Sequence, residues 1–287
     1  MQKNKTAVAI GKFDGLHLGH MKILSETILA AKKHSLVPTV YVINISNLLT
    51  TKDEKVEIIK NFGINNVVFR EFDDEFKNIS PYDFFENVLL KKLNAGHIVV
   101  GEDFCFGRNR SGNAALLKKL CADNNIGISV VKKVSVDGEI LSSTLVRSVL
   151  SEGNVEKAEK ILGRNYSVTQ KVVHGKKLGS KLGFPTINFS DTKKLMPKQG
   201  VYITRVLYNG KTFAAITNVG TNPTVDCDNK IKVETFILDF CGELYGSTIK
   251  VEFIKHIRDE IKFASEQELK NQVFSDVECA RKYFEKI

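Results

Sequence analysis

Short apolar runs alternate with amphipathic stretches along the chain as far as about Leu162. Ala7–Ile10, Val37–Ile43, Asn66–Phe69, His97–Val100 and Ile128–Val131 have the length and β-branched content of buried strands. Met21–Lys33, Lys55–Phe62, Tyr82–Leu93, Ala114–Asn124 and Thr144–Ser151 repeat apolar residues at helical spacing. Pro81 directly after Ser80 fits the first turn of a capped helix. Strand–helix alternation of this kind predicts a doubly wound, Rossmann-like parallel sheet with helices on both faces.

The texture changes near Tyr166. Tyr166–Val173, Val201–Leu207, Thr212–Thr217, Val233–Leu238 and Thr248–Ile254 are β-like and are separated by Gly, Asn and Asp. Asn209-Gly210 between two of them is a hairpin dipeptide, because both residues tolerate the positive φ of a type I′ turn. A helical pattern from Glu266 to Phe284 closes the chain. The expectation is two domains, 1–163 and 164–287: an α/β layer, then a compact antiparallel β unit with a terminal helix. A length of 287 residues suits two domains, and 43% hydrophobic content supplies their cores.

Charge narrows the partners. The net charge of +9 and pI near 9.1 favour anionic ligands. No basic helix or aromatic-interleaved basic motif stands out, so small phosphate-bearing substrates are expected rather than nucleic acid or a membrane surface. The five cysteines are odd in number, widely spaced and without a C-x-x-C, which argues against a disulfide framework or a zinc site. No signal peptide or membrane-spanning stretch is expected, and the chain reads as cytoplasmic. Nothing in the pattern decides between a monomer and an oligomer.

The densest chemistry follows the first strand: Gly11-Lys12-Phe13-Asp14-Gly15-Leu16-His17-Leu18-Gly19-His20. A strand that breaks at glycines and reopens as a helix aims unpaired N–H groups and the helix dipole at an anion. His17 and His20 are three apart and can point the same way, and Gly19 allows close approach to the backbone. Ser142-Ser143-Thr144, with Arg147 one turn on, heads another helix, where hydroxyls can cap it or hold phosphate oxygens. Asp103, Phe104, Arg108 and Arg110 follow a strand, where open α/β sheets place ligands; Phe104 is equally a core residue by type.

In the second half, the glycine-rich basic stretch from His174 to Gly183 runs into Pro185-Thr186-Ile187-Asn188. Thr186 and Asn188 share a strand face, so both oxygens can reach one Mg²⁺-ATP, while Gly175, Lys181 and Gly183 can cradle phosphates. The spacing is not that of a Walker A loop. Glu234 lies on an alternating strand, where a carboxylate is usually solvated.

These motifs, in this order, resemble bacterial bifunctional riboflavin kinase/FMN adenylyltransferases, or FAD synthetases. The resemblance implies a nucleotidyltransferase domain at 1–163 and an antiparallel β-barrel riboflavin kinase domain at 164–287. Riboflavin would be phosphorylated by ATP to FMN, then FMN adenylylated to FAD with release of pyrophosphate, both steps with Mg²⁺. It further implies that His17, His20 and Arg147 act on the ATP phosphates, with Phe13, Asp14, Gly15, Gly19, Ser142, Ser143 and Thr144 binding ATP. Asp103, Phe104 and Arg110 would serve flavin in the first domain and Arg258 in the second. Thr186 and Asn188 would hold the metal, and Glu234 would be the general base. Two departures stand out: Lys12 replaces a frequent Asn, and Asn44–Thr51 replaces a loop that normally carries Pro-His-Pro. A riboflavin kinase with a weak or degenerate adenylyltransferase domain is the alternative reading.

Overall fold

The computed structural model describes residues 4–44, 49–174, 183–189, 194–221 and 231–286. The chain forms two compact units, Met1–Ser143 and Thr144–Ile287.

In the first unit, β1 (Thr6–Gly11), β2 (Val37–Asn44), β3 (Asn66–Glu71), β4 (Ala95–Gly101) and the later strand Gly127–Val131 build one parallel sheet. The spatial order is β3, β2, β1, β4, then Gly127–Val131, so the order reverses between β1 and β4. Both faces are buried, which is why the strands read as unbroken apolar runs. Val8, Ile10, Tyr41 and Ile43 face one core with Phe84, Leu89 and Leu117. Ala9, Val40 and Val42 face the other with Leu24, Ile59 and Ile64. The doubly wound expectation is met.

Helix boundaries moved where the first turn is polar. The first helix, α1, spans Leu18–His34, with His17 as its N-cap. The next, α2 (Lys52–Asn61), starts three residues earlier than its apolar pattern, because Thr51 and Glu54 form a reciprocal capping box. Ser80 caps a turn beginning at Pro81, as expected, and the helix continues as a π-helical stretch, Phe84–Lys92. The helix Val155–Leu162 was not predicted; Asn154 caps its start and Gly163 its end.

In the second unit, β10 (Tyr166–Val173), β11 (Thr186–Phe189), β12 (Gly200–Tyr208), β13 (Lys211–Thr221), β14 (Ile231–Ile237) and β15 (Thr248–Arg258) close into an antiparallel barrel; β5 to β9 are Cys105–Phe106, Gly112–Asn113, Gly127–Val131, Ser135–Val136 and Glu139–Ile140. Asn209 (φ 48°) and Gly210 (φ 73°) make the β12–β13 hairpin turn. Inside the barrel sit Val172, Val206, Ala215, Ile237 and Val251. The C-terminal helix, Glu266–Phe284, lays Val277 and Ala280 on Ile203, Ile216 and Ile254 of the outer face. Cys105, Cys121, Cys241 and Cys279 are free thiols; Cys227 lies outside the described residues.

Candidate active sites

The loop after β1 is pinned from four directions. Lys55 on α2 is fully buried and donates to the Lys12 carbonyl at 3.3 Å. The Leu49 N–H donates to Asp14 Oδ1 at 2.9 Å, and the Gly15 N–H donates to Thr50 Oγ1 at 3.1 Å. Ser143 Oγ donates to the Asp14 carbonyl at 2.8 Å. Burial pushes the Lys55 ammonium below its ordinary range, opposed by the charges of Asp14 and Glu71. The departure after Ile43 therefore leaves Leu49 and Thr50 bracing the glycine loop; residues 45–48 lie outside the described residues.

This scaffold presents the two imidazoles as a stacked pair, their ring centroids 3.8 Å apart at 26°. A Cβ at Gly19 would lie 3.0 Å from the His17 ring, so glycine at this position also makes room for the imidazole. Phe13 and Asp14 are buried, with Phe13 in the core and its ring 5.3 Å from His20, and neither is among the residues that line the neighbouring cavity.

His17, Gly19, His20, Asp103, Ser142 and Ser143 line one cavity of about 440 Å³. It opens where the sheet order reverses, beyond the carboxyl ends of β1 and β4, the position at which such sheets bind ligands. Lys132 and Lys133 also line it and were not singled out from sequence. Lys133 Nζ lies 3.5 Å from Asp103 Oδ2, and its N–H donates to Glu102 at 3.1 Å. Phe104 instead packs against the core and stacks on Phe106 at 5.6 Å. Arg110 is exposed and does not line this cavity. Thr144, exposed, and Arg147, half-buried, lie on the helix Ser143–Ser151, and both residues belong to the second compact unit.

The barrel carries a second cavity of about 560 Å³, lined by Thr186, Asn218, Glu234, Arg258, Glu260 and Asp276 among others. Strand register creates it. Thr186 pairs with Phe236, and Asn188 with Glu234, across β11 and β14; Asn218 pairs with Glu234 across β13 and β14. These side chains share the outer face with Ile216, under the edge of the C-terminal helix. Asn188 is half-buried but not among the cavity-lining residues. Arg258 is committed to Asp276, donating from Nε at 3.1 Å and Nη2 at 2.8 Å, so it braces the cavity wall. Glu260 lies over the backbone of Gly220, where a Cβ would come 1.9 Å from Oε1. Gly183 is described, with φ of 90°, whereas Gly175 and Lys181 lie outside the described residues. Thr186 and Asn188 offer neutral oxygens on one strand face, a donor set suited to magnesium that arrives on phosphates.

A stacked histidine pair lining a cavity of a doubly wound sheet, followed by a β-barrel whose cavity is lined by Thr186, Asn218 and Glu234, defines a two-site enzyme. The FAD synthetase family model matches residues 1–145, and the riboflavin kinase model matches residues 162–284. The bifunctional riboflavin kinase/FMN adenylyltransferase of Buchnera aphidicola subsp. Schizaphis graminum is 35% identical over 98% of this chain and 95% of its own length. That of Escherichia coli K12 is 34% identical over 96% and 92%. The chain belongs to the bifunctional riboflavin kinase/FMN adenylyltransferase family. A Streptococcus pneumoniae crystal structure titled a macrolide-efflux protein superposes with a TM-score of 0.87, at 29% identity over 98% of this chain and 95% of that one. A shared fold does not transfer that title. No helix among the described residues is long and apolar enough to cross a membrane.

Proposed function

We propose that the two cavities divide the family's two reactions between them, within domains 1–163 and 164–287. The supporting observation is that each family match contains one complete cavity of its own. At the barrel, Glu234 takes the proton from the terminal hydroxyl of riboflavin as that oxygen attacks the γ-phosphorus of ATP, and ADP leaves. General-base help of this kind is worth roughly 100- to 10,000-fold. Thr186 and Asn188 hold Mg²⁺, which neutralises phosphate charge when bound. Arg258, tied to Asp276, shapes the flavin side of the cavity.

At the sheet, the FMN phosphate attacks the α-phosphorus of a second ATP and pyrophosphate leaves. No protein nucleophile is needed, so catalysis is alignment plus charge stabilisation. His17 and His20 receive the phosphates, Ser142 lies on the same wall, and Lys133 with Asp103 faces the nucleotide or flavin. The substrates are small molecules, and the reactions belong in the cytoplasm.

Incubation with riboflavin, ATP and Mg²⁺, followed by chromatography of FMN and FAD, tests the assignment. His20→Ala should stop FAD formation and spare FMN formation. Glu234→Gln should stop FMN formation and spare FAD formation from added FMN. Loss of both activities in both variants, with the fold intact, would overturn the division. FMN accumulating alone in the unaltered enzyme would favour the kinase-only alternative.

A further inference from the structure

Three grips on the loop that leads into the histidines come from one short segment, residues 49–55. The Leu49 N–H, Thr50 Oγ1 and Lys55 Nζ all reach the stretch Lys12–Gly15. The capping box of Thr51 and Glu54 fixes the first turn of α2, and with it the direction in which Lys55 leaves the helix. The loop they hold is strained, since Phe13 and Leu16, neither of them glycine, stand at φ of 47° and 44°. Such residues persist only where their surroundings over-determine the backbone. The loop ends at His17, the N-cap of α1, so its path sets where both imidazoles stand.

The Lys55 side chain is fully buried. Burying an amine carries a desolvation cost, which the Lys12 carbonyl and the Asp14 charge oppose. A methionine would fill nearly the same volume without that cost. Stability alone therefore does not account for a lysine at this position. We propose that Lys55 is a positioning residue for adenylylation: its nitrogen anchors the Lys12 carbonyl, holds the strained loop in place and so aligns His17 and His20 on the departing pyrophosphate. This rests on the reading of the histidine pair as the phosphate-handling site. Lys55 does not line the histidine cavity, so it acts through the loop.

The test is the initial rate of FAD formation from FMN and Mg²⁺-ATP, measured on the full chain. Lys55→Met should lower kcat roughly 100-fold and leave KM for ATP and FMN within about threefold, because misplaced groups lose the transition state rather than the bound substrates. Lys55→Ala should behave likewise. Propylamine, entering the space left by Lys55→Ala, should restore roughly tenfold in rate and saturate. The same amine should do nothing for Lys55→Met, whose side chain fills that space. Riboflavin phosphorylation by the same samples should be unchanged, and thermal melts followed by circular dichroism report the fold.

An unchanged kcat in Lys55→Met would overturn the proposal. So would a loss carried by KM alone, an absence of recovery in Lys55→Ala, or equal recovery of both variants by the amine. Loss of the fold in both variants would overturn it too, by making Lys55 a structural member of the domain. His20→Ala separates the two levels. If it abolishes FAD formation while Lys55→Met keeps its kcat, only the positioning role fails. If it retains FAD formation, the reading of the histidine pair fails and the positioning role with it.

Discussion

At the scale of single residues, the first site depends on what surrounds the histidines as much as on the histidines. Gly19→Ala would bring a methyl group 3.0 Å from the His17 ring and displace the imidazole by a few tenths of an ångström. Alanine is also the better helix former, by up to about 1 kcal/mol. The expected result is a protein that melts no lower but makes FAD from FMN roughly tenfold more slowly, as thermal melts and initial rates will show. The histidine pair was legible because strand, glycine loop and helix lie in one continuous segment. Lys55 was not, although its spacing of four from Ile59 puts it on the buried face of α2. Periodicity reads a lysine as solvent-facing, and only the tertiary fold supplies the Lys12 carbonyl and the Asp14 charge that let it be buried.

At the scale of elements, strands and long helices were recovered almost entirely, since buried parallel strands and amphipathic helices carry their own period. What escaped was cross-strand. Glu234 lies 46 residues along the chain from Asn188 and 16 from Asn218, yet register makes all three neighbours. Register depends on turns and bulges, and β15 carries two irregularities against β12, at Val201/Tyr202 and at Ile203/Thr204. A second cross-strand row lies inside the barrel. Thr204 and Thr217 hydroxyls are 2.8 Å apart, as are those of Thr217 and Thr235, and all three side chains are fully buried. Thr217→Val keeps the volume but strands both neighbours. It should cost about 1–3 kcal/mol of stability, measurable by denaturant unfolding of the full chain. An unchanged midpoint would show that the row contributes nothing.

At the scale of the whole molecule, each compact unit contains a histidine held below its ordinary range. Burial is the main cause for both His97 and His256. His34 adds to the depression at His97, and the Asp259 charge opposes it at His256. Each ring therefore takes up a proton more readily in the unfolded chain than in the folded one. Stability should be full above about pH 6.5 and decline as the pH falls from there through the depressed folded values. Denaturant midpoints at pH 7.5 and 5 will test this, and His97→Gln should remove part of the difference. A midpoint that rises on acidification would contradict the sign.

The close seating of Glu260 on Gly220 has a genetic corollary. The carboxylate is the far end of a flexible chain, so a methyl group at 220 would swing it aside without disturbing the strand. Gly220→Ala should thus phenocopy Glu260→Ala, and the two changes combined should be no worse than either alone. Such masking epistasis, read from riboflavin KM in the four genotypes of a double-mutant cycle, would identify the glycine as a silent keeper of one acidic tip.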